Sequence, residues 1–452
     1  SFPTRRSSDL KGIKHHYKKD QNQKFLSQLD FELTDAQKRV WSEIRSDLES
    51  KKTMSRLLQG DVGSGKTVVA ALSLLETMAN DYQGVFMAPT EILAEQHYLN
   101  FKELFNDFDY NIQLLTGSLK KSERENIEKK IKNGETDLII GTHALFQESI
   151  AYDKPGLVVI DEQHRFGVEQ RHSLKEKGDN PDLLIMTATP IPRSMAMLIY
   201  GDLDLSVIDE MPPGRKVIAT FWRRENRRKQ IYSFLKEKIE EGRQAYIVCP
   251  LIENSEEMPE LISAEELYKN LSEGMFNDYN LGLIHSSIDS DEKKEIMEKF
   301  RAGEINVLVA TTVIEVGVDV SNASIMIIEN AERFGLAQLH QLRGRVGRGK
   351  TQSYCILISN PPGEEAAIRL KIMCDSSDGF LIAEEDLKMR GPGEFFGTRQ
   401  HGIDDLKVGS LVDDQEILEQ ARNEAQNIVI NKNWQQKYKN LAEKVSEIEM
   451  KI

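Results

Sequence analysis

The sequence has little cysteine and no long apolar run. Its three cysteines, at positions 249, 355 and 374, lie far apart along 452 residues and lack the spacing of a metal site. A disulfide framework is therefore excluded, and we expect reduced thiols that pack in the core of a cytoplasmic protein. No apolar stretch approaches the roughly 20 residues that a membrane-spanning helix needs, so no membrane partner is expected.

The chain also lacks an excess of basic charge. Its formal net charge is −14, which argues against nucleic-acid binding over the whole surface. A local basic channel remains compatible with this charge, because salt confines electrostatic fields to about 8–10 Å. The length suffices for two or three soluble domains. Residues 1–10 (SFPTRRSSDL) resemble a cloning remnant, and residues 1–24 are predicted to be a disordered remnant and linker.

What the sequence does contain is a phosphate-binding loop. Residues 60–67 (GDVGSGKT) match G-x-x-x-x-G-K-[ST] at every fixed position and precede a segment with helical periodicity. Lys66 is expected to neutralise the β- and γ-phosphates of a nucleotide, and the Thr67 hydroxyl to bind Mg²⁺. Backbone N–H groups of the loop can face a triphosphate because three positions carry no side chain: Gly60, Gly63 and Gly65.

Strands and helices alternate after this loop, which predicts a parallel sheet covered on both faces. Small polar residues follow several strands, at the edge where such sheets bind ligands. Their hydroxyls and backbone N–H groups are suited to nucleic-acid phosphates and to linking a metal site with a neighbouring surface. The candidates are Thr90, Thr116, Gly117, Thr142, Thr187 and Thr189.

The apolar strand 157–160 is followed by two carboxylates, Asp161 and Glu162. An aspartate in this position is expected to hold Mg²⁺ through water, and the glutamate to orient and deprotonate the attacking water. A solvated turn is the alternative for such a pair. Its place downstream of a phosphate loop favours the metal interpretation.

Gln37 lies upstream of the phosphate loop and has two interpretations. The sequence around it predicts an ordinary helix start, capped by Thr34 or Asp35, and this is the interpretation that we favour. The alternative is that its amide donor and acceptor recognise the edge of an adenine base.

The second half repeats the alternation without a phosphate loop. Gly317 and Asp319 follow a predicted strand and are candidates for nucleotide contact. Residues 341–349 (QLRGRVGRG) place Arg345 and Arg348 among glycines. A guanidinium can reach across a cleft and stabilise charge on a γ-phosphate. An arginine-rich loop that is solvated or binds nucleic-acid phosphate is the alternative, and the phosphate loop in another domain favours the first.

Residues 386–400 (DLKMRGPGEFFGTRQ) form an unusual segment near the C-terminal end. The Gly391-Pro392-Gly393 triplet is expected to break a helix, which predicts a short helical hairpin with Arg390 and Arg399 facing inward. The predicted domains span residues 25–213, 214–362 and 363–452, with a break at the proline-rich residues 211–214.

Together these motifs resemble superfamily-2 helicases, and most closely the bacterial RecG family, from about Phe31 to Ile403. Residues 161–168 (DEQHRFGV) and 391–397 (GPGEFFG) are those usual in RecG-like proteins. The resemblance implies an α/β fold: two tandem RecA-like domains, with ATP and Mg²⁺ in the cleft between them, and a small α-helical C-terminal region with a helical hairpin. It implies nucleotide contacts at Gln37, Gly317 and Asp319. It also implies coupling to DNA movement at Arg390, Arg399 and Gln400.

The resemblance further implies an ATP-dependent helicase that moves on duplex DNA and remodels stalled forks and Holliday junctions in recombination and repair. Branched double-stranded DNA is the expected partner, single-stranded DNA-binding protein a second one, and a monomer the expected state. About thirty residues precede the glutamine motif that opens at Phe31, so a C-terminal motor fragment without the family's wedge domain is expected. The alternatives are a nucleotide-gated DNA-binding module without processive unwinding, a transcription-repair coupling factor, and an RNA helicase.

Overall fold

Two parallel β-sheets with helices on their faces make up most of the structure. The computed structural model describes residues 12–147, 149–161, 180–188, 192, 195–196, 203–250, 263–311, 320–347, 349, 351–395, 417, 420–421, 424–425, 427–428 and 433–449. We call the first sheet with its helices the first lobe, and the second sheet with its helices the second lobe.

The first lobe contains a seven-stranded sheet in the order β3-β4-β2-β5-β6-β1-β7. Its strands are β1 Ser55–Gly60, β2 Gln83–Met87, β3 Ile112–Leu115, β4 Leu138–Gly141, β5 Pro155–Ile160, β6 Asp182–Thr187 and β7 Asp204–Ile208. All neighbouring pairs are parallel. The helices are α1 Lys19–Gln28, α2 Asp35–Leu48, α3 Lys66–Met78, α4 Glu91–Leu104 and α5 Lys121–Lys132, with a 3₁₀ turn at His143–Phe146.

The second lobe contains a six-stranded parallel sheet in the order β10-β11-β9-β12-β13-β8. Its strands are β8 Ala219–Arg223, β9 Gln244–Val248, β10 Leu281–Ile284, β11 Val307–Ala310, β12 Ala323–Ile328 and β13 Tyr354–Ile358. The helices are α6 Arg228–Glu240, α7 Ala264–Ser272, α8 Ser290–Arg301, α9 Leu336–Arg343 and α10 Glu364–Asp375. Short 3₁₀ turns occupy Glu225–Arg227 and Ala331–Arg333.

Each sheet buries both of its faces, as the apolar runs predict. Successive strand residues point to opposite faces, so Leu58 and Val159 join one apolar cluster of the first lobe, whereas Leu57 and Val158 join another. The second lobe has two further clusters on the same principle. Among the helices in the described ranges, none combines the length and apolar character that crossing a bilayer requires.

The predicted α/β fold is confirmed. Apolar runs in the sequence predict nine of the strands, β1–β6 and β9–β11, and leave four unpredicted: β7, β8, β12 and β13. Strands β7 and β8 lie at sheet edges and have mixed exposure, so their apolar pattern is weak. Strands β12 and β13 are buried along almost their whole length, and pairing with β9 and β8 makes their place in the sheet evident.

The expectation of a disordered linker up to residue 24 is wrong for the described residues 12–24. Helix α1 begins at Lys19, and Phe25 within it is fully buried. Glu76 on α3 explains this order, because its carboxylate accepts hydrogen bonds from Lys18 N at 2.9 Å and from Asn22 Nδ2 at 2.7 Å. Burial of a charged carboxylate requires such donors, so this segment packs as part of the first lobe.

The expectation that Gly391-Pro392-Gly393 breaks a helix is also wrong. Helix α11 runs through the triplet, from Gly379 to Phe395. A proline removes one hydrogen bond from the ladder, and the rest of α11 is anchored by Ile382 in a core cluster of the second lobe and Leu387 in one of the first. The second arm of the predicted hairpin falls outside the described residues. Beyond it lie α12 Trp434–Lys437 and α13 Lys439–Glu449.

Candidate functional site

The parallel strands of the first lobe place the predicted polar residues along one edge of the sheet. Because all strands run in the same direction, their carboxyl ends meet at that edge. The register sets Thr187 beside Gln59, which precedes the phosphate loop, and sets Ile160, which precedes Asp161, beside Ile185. Across the sheet the strand-end residues follow the order Thr116, Thr142, Thr90, Asp161, Thr187 and the phosphate loop.

The phosphate loop has the backbone that its glycines predict. Gly63 and Gly65 have φ angles of 75° and 87°, a region that residues with side chains rarely adopt. Helix α3 begins at Lys66, whose Nζ donates to Gly60 O at 2.8 Å and Asp61 O at 2.9 Å. The loop therefore closes around the head of its own lysine, at the N-terminus of a helix, where anions bind favourably.

Gln37 joins a helix start to this loop. Its backbone N–H donates to Thr34 Oγ1 at 3.2 Å, and its Oε1 accepts from Thr34 N at 2.9 Å, which makes a reciprocal cap of α2. Its Nε2 donates to Ser64 O at 2.8 Å. The favoured interpretation as a helix start matches the geometry, and the same amide also holds the phosphate loop.

Asp161 lies directly after β5, and its carboxylate contacts a buried histidine. The Oδ2 atom is 3.1 Å from Nε2 of His97 on α4. Thr67 follows Lys66 in the first turn of α3. In the part of the chain that the structure describes, no cluster of three or more His, Cys, Asp or Glu residues could hold a metal. One carboxylate and one hydroxyl fit Mg²⁺, which is usually held by few protein oxygens together with phosphates and water.

Glu91, which follows Thr90, joins two of the loops that are predicted to contact nucleic acid. Its Oε1 accepts from Ser118 N at 3.0 Å, in the loop that contains Thr116 and Gly117. Thr90 caps α4, with its Oγ1 accepting from Leu93 N at 3.4 Å. Thr116 and Thr142 are buried. The loops after β2 and β3 are thus connected, and β2 pairs with the strand that ends before Asp161.

The two lobes meet at the phosphate loop. Nε2 of His340 on α9 lies 2.6 Å from Oδ1 of Asp61. Burial would raise the pKa of Asp61, but the hydrogen bond and charge of His340, the Val62 N–H and the Lys66 charge hold it below its ordinary value. Arg345, a predicted finger, follows α9 directly, so the second lobe presents this segment to the loop.

Backbone contact is close at the same place. A Cβ atom on Gly344 would lie 2.8–3.0 Å from the side-chain carbons of Val62. Arg215, between the sheets, donates from Nη1 to Val62 O at 2.6 Å and from Nε to Gly347 O at 3.1 Å. The structure therefore brings the phosphate loop of the first lobe and the segment around Gly344 and Gly347 of the second lobe together across one cleft.

Sequence reasoning missed Asp61, His97, Arg215 and His340. The first occupies a variable position of the motif, and the others acquire a role only through partners distant in the chain. Seven predicted residues lie outside the described ranges: Glu162, Thr189, Gly317, Asp319, Arg348, Arg399 and Gln400. Arg390 lies within α11, but its side chain is also outside the description.

Sequence families match most of the chain in three successive parts. Residues 34–198 match "DEAD/DEAH box helicase", and residues 226–350 match "Helicase conserved C-terminal domain". With the two sheets and the interlobe cleft, they define a two-lobed helicase core of RecA-like fold. Residues 376–449 match "ATP-dependent DNA helicase RecG, domain 3, C-terminal". Taken together, these three matches are those of the RecG family of ATP-dependent DNA helicases, to which the chain is similar over most of its length.

Individual relatives agree with this placement. The chain is 48% identical to a RecG of Bacillus subtilis over 429 residues, which are 95% of this chain and 63% of that protein. It is 52% identical to a RecG of Thermotoga maritima over 406 residues, which are 90% of this chain and 52% of that protein. A solved RecG bound to a three-way DNA junction superposes with a TM-score of 0.77 at 48% identity, covering 91% of this chain and 54% of that one. The chain thus spans about half to two thirds of these relatives.

Proposed function

We propose that this chain is the motor part of a DNA helicase, which hydrolyses ATP to move along double-stranded DNA and remodel branched junctions. One observation carries the proposal: the phosphate loop of the first lobe meets residues 341–349 of the second lobe, which we call the arginine segment, across one cleft. Asp61 contacts His340, and Val62 packs against Gly344. Hydrolysis that requires both walls can be coupled to opening and closing of the lobes.

The residues of the first lobe are assigned to nucleotide and metal. Lys66 binds the β- and γ-phosphates, with backbone N–H groups of the glycine loop around it. Thr67 and Asp161 would hold Mg²⁺, which would supply charge neutralisation at the phosphates. Glu162 orients and deprotonates the attacking water. Gln37 supports the loop through Ser64 and keeps the first turn of α2 in place.

The residues of the second lobe complete the site. Arg345 and Arg348 stabilise the charge that develops on the γ-phosphate, because a guanidinium offers donors in a fixed fork. Gly317 and Asp319 contact nucleotide from the same lobe. The cleft must close for these groups to act, so the hydrolytic step depends on the relative position of the lobes.

We assign DNA binding to α11 and to the carboxyl ends of the strands that lie far from the phosphate loop. Thr90, Thr116, Gly117 and Thr142 lie at the end of the first sheet that is remote from the phosphate loop. Thr187 and Thr189 connect the two regions. Helix α11 packs against cores of both lobes through Ile382 and Leu387, so closure of the cleft moves it. Arg390, Arg399 and Gln400 would transmit that movement to duplex DNA.

Replacing the phosphate-loop lysine tests the proposal. Lys66→Ala is expected to lower the ATPase kcat at least about 100-fold, because a preorganised charge at the phosphates is lost. Lys52→Ala removes an exposed lysine of the same lobe and serves as the control. Hydrolysis by Lys66→Ala at the wild-type rate, in a preparation free of other ATPases, contradicts the assignment.

The nucleic acid is identified by measuring ATPase rates without nucleic acid and with linear duplex, forked DNA, a three-way junction and RNA. We expect the junction and the fork to stimulate most, and a junction-unwinding assay to show strand displacement. Stimulation without displacement supports a nucleotide-gated binding module instead. Greater stimulation by RNA supports an RNA helicase.

A further inference from the structure

Arg215 touches both walls of the nucleotide cleft, although it belongs to the segment between the two sheets. Its Nη1 donates to Val62 O of the phosphate loop at 2.6 Å. Its Nε donates to Gly347 O at 3.1 Å. Gly347 lies between the two predicted arginine fingers, Arg345 and Arg348. One guanidinium therefore fixes the distance between the loop that binds phosphate and the segment that carries the fingers.

The backbone on both sides is shaped to receive this guanidinium. Gly63 has a φ of 75°, and a Cβ atom there would lie 2.1 Å from Nη1 of Arg215. Gly347 has a φ of 82°. Each glycine thus adopts a conformation that disfavours side chains, and at Gly63 the arginine occupies the space that one would take. A lysine offers a single ammonium group and cannot reproduce the planar fork that serves both carbonyls.

One more contact holds the same pair of segments together, and it is supported by hydrogen bonds within the second lobe. His340 reaches Asp61 across the cleft, and its Nδ1 lies 2.9 Å from Nη2 of Arg343. Arg343 donates from Nη1 to Met373 O at 2.9 Å. These contacts link the phosphate loop to α9 and to the end of α10. Arg215 holds the same loop at Val62, next to Asp61 in the chain, and lines one cavity with His340 and Arg343.

We propose that Arg215 is a positioning residue for hydrolysis, which sets the arginine segment in register with the phosphate loop when the lobes close. The inference rests on the proposed function, and it assigns to the interlobe segment a role in the hydrolytic step. Arg215 acts through Arg345 and Arg348 by fixing the carbonyl between them. Loss of the guanidinium leaves the loop able to bind nucleotide but displaces the fingers.

The first arm of the test compares steady-state ATPase kinetics of wild type, Arg215→Ala, Arg215→Lys and Lys216→Ala with a three-way junction present. Arg215→Ala is expected to lower kcat about 10- to 100-fold, the loss typical of a displacement near 1 Å. KM and the affinity for a fluorescent ATP analogue should change less than about threefold, since the phosphate loop is intact. Arg215→Lys should keep most of the defect, and the exposed neighbour Lys216→Ala should behave as wild type.

The second arm measures Arg215→Ala in a background that lacks both fingers, Arg345→Ala with Arg348→Ala. If Arg215 acts through the fingers, it adds little once both are gone, so the triple variant should match that background within about twofold. If Arg215→Ala lowers kcat in that background by the same factor as in wild type, the inference is overturned. The inference is also overturned if Arg215→Ala lowers the nucleotide affinity by the same factor as kcat and lowers the melting temperature as well. That outcome indicates a purely structural contact.

The two levels of the proposal fail differently. Activity retained by both Lys66→Ala and Arg345→Ala removes the proposed function itself. Activity lost in those variants but retained at the wild-type kcat in Arg215→Ala removes only the positioning role.

Discussion

At the scale of single residues, the site depends on close approach of backbones as much as on charged side chains. Gly344 lies at the C-terminal end of α9, where φ is −65°, so its backbone suits any residue. Its lack of a side chain matters because Val62 of the other lobe packs directly against it. A glycine with ordinary dihedral angles is therefore required here by tertiary contact.

Gly344→Ala is expected to hold the lobes apart and lower kcat about 10-fold, because a methyl group at 2.8 Å from Val62 carbons cannot be accommodated without movement. The melting temperature should change little, since the backbone conformation tolerates alanine. Gly363→Ala is the matched control in the same lobe, where a Cβ atom meets nothing within 4 Å. ATPase kinetics and thermal unfolding measure both effects, and a fully active Gly344→Ala argues against closure at this contact.

At the scale of elements, the start of α2 supports the start of α3. The reciprocal cap between Thr34 and Gln37 satisfies N–H groups that have no partner within α2. The side-chain nitrogen of Gln37, Nε2, donates to Ser64 O in the loop before α3. Helix capping and loop support are therefore one hydrogen-bonded unit.

Thr34→Ala is expected to destabilise the first lobe by about 1 kcal/mol, the usual cost of losing a cap. It should also raise the KM for ATP, because Gln37 loses its anchor beside the phosphate loop. Ser263→Ala removes a comparable cap of α7, where Oγ accepts from Glu266 N at 3.0 Å. The control should lose similar stability in denaturant unfolding, and its KM for ATP should not change. Equal KM values in the two variants would show that the cap of α2 does not support the phosphate loop.

At the scale of the whole molecule, the lobes are connected by contacts outside the nucleotide cleft as well. Lys294 on α8 lies 2.7 Å from Glu95 on α4, and Ile92 of α4 packs against a core cluster of the second lobe. Helix α11 contacts cores of both lobes. Glu95 and Lys294 are partly exposed, so their attraction is worth at most about 1 kcal/mol. Such a weak contact suits lobes that must separate and close.

Lys294→Glu is expected to raise the KM for ATP about two- to threefold at low salt, because two carboxylates then face each other across the lobes. The change should fade at high salt, which screens exposed charges. The double variant Lys294→Glu with Glu95→Lys should restore the wild-type KM. Lys299→Glu on the same helix is the control, because it changes an ion pair with Glu295 that lies within one lobe. If this control shifts the KM by the same amount, the KM shift of Lys294→Glu does not come from the contact between the lobes.

The sequence by itself determined the features that depend on neighbouring residues. The conformation of the phosphate loop follows from its glycines, and the buried parallel strands follow from short apolar runs. The sequence also predicts Asp161 at the end of a strand, because the run before it ends there. The break expected at Gly391-Pro392-Gly393 does not occur, because α11 continues through the triplet to Phe395.

Only the tertiary structure decided which of these parts meet. Strand order, which no local pattern encodes, places the nucleotide candidates at one end of the carboxyl edge and the nucleic-acid candidates at the other. Asp61 and His340 are 279 positions apart, and neither has a distinctive local setting. Arg215 lies in a segment that the sequence marks only as a break between domains. Their roles arise from complementary donors and acceptors across a cleft, and such pairing exists only when both lobes have folded and closed.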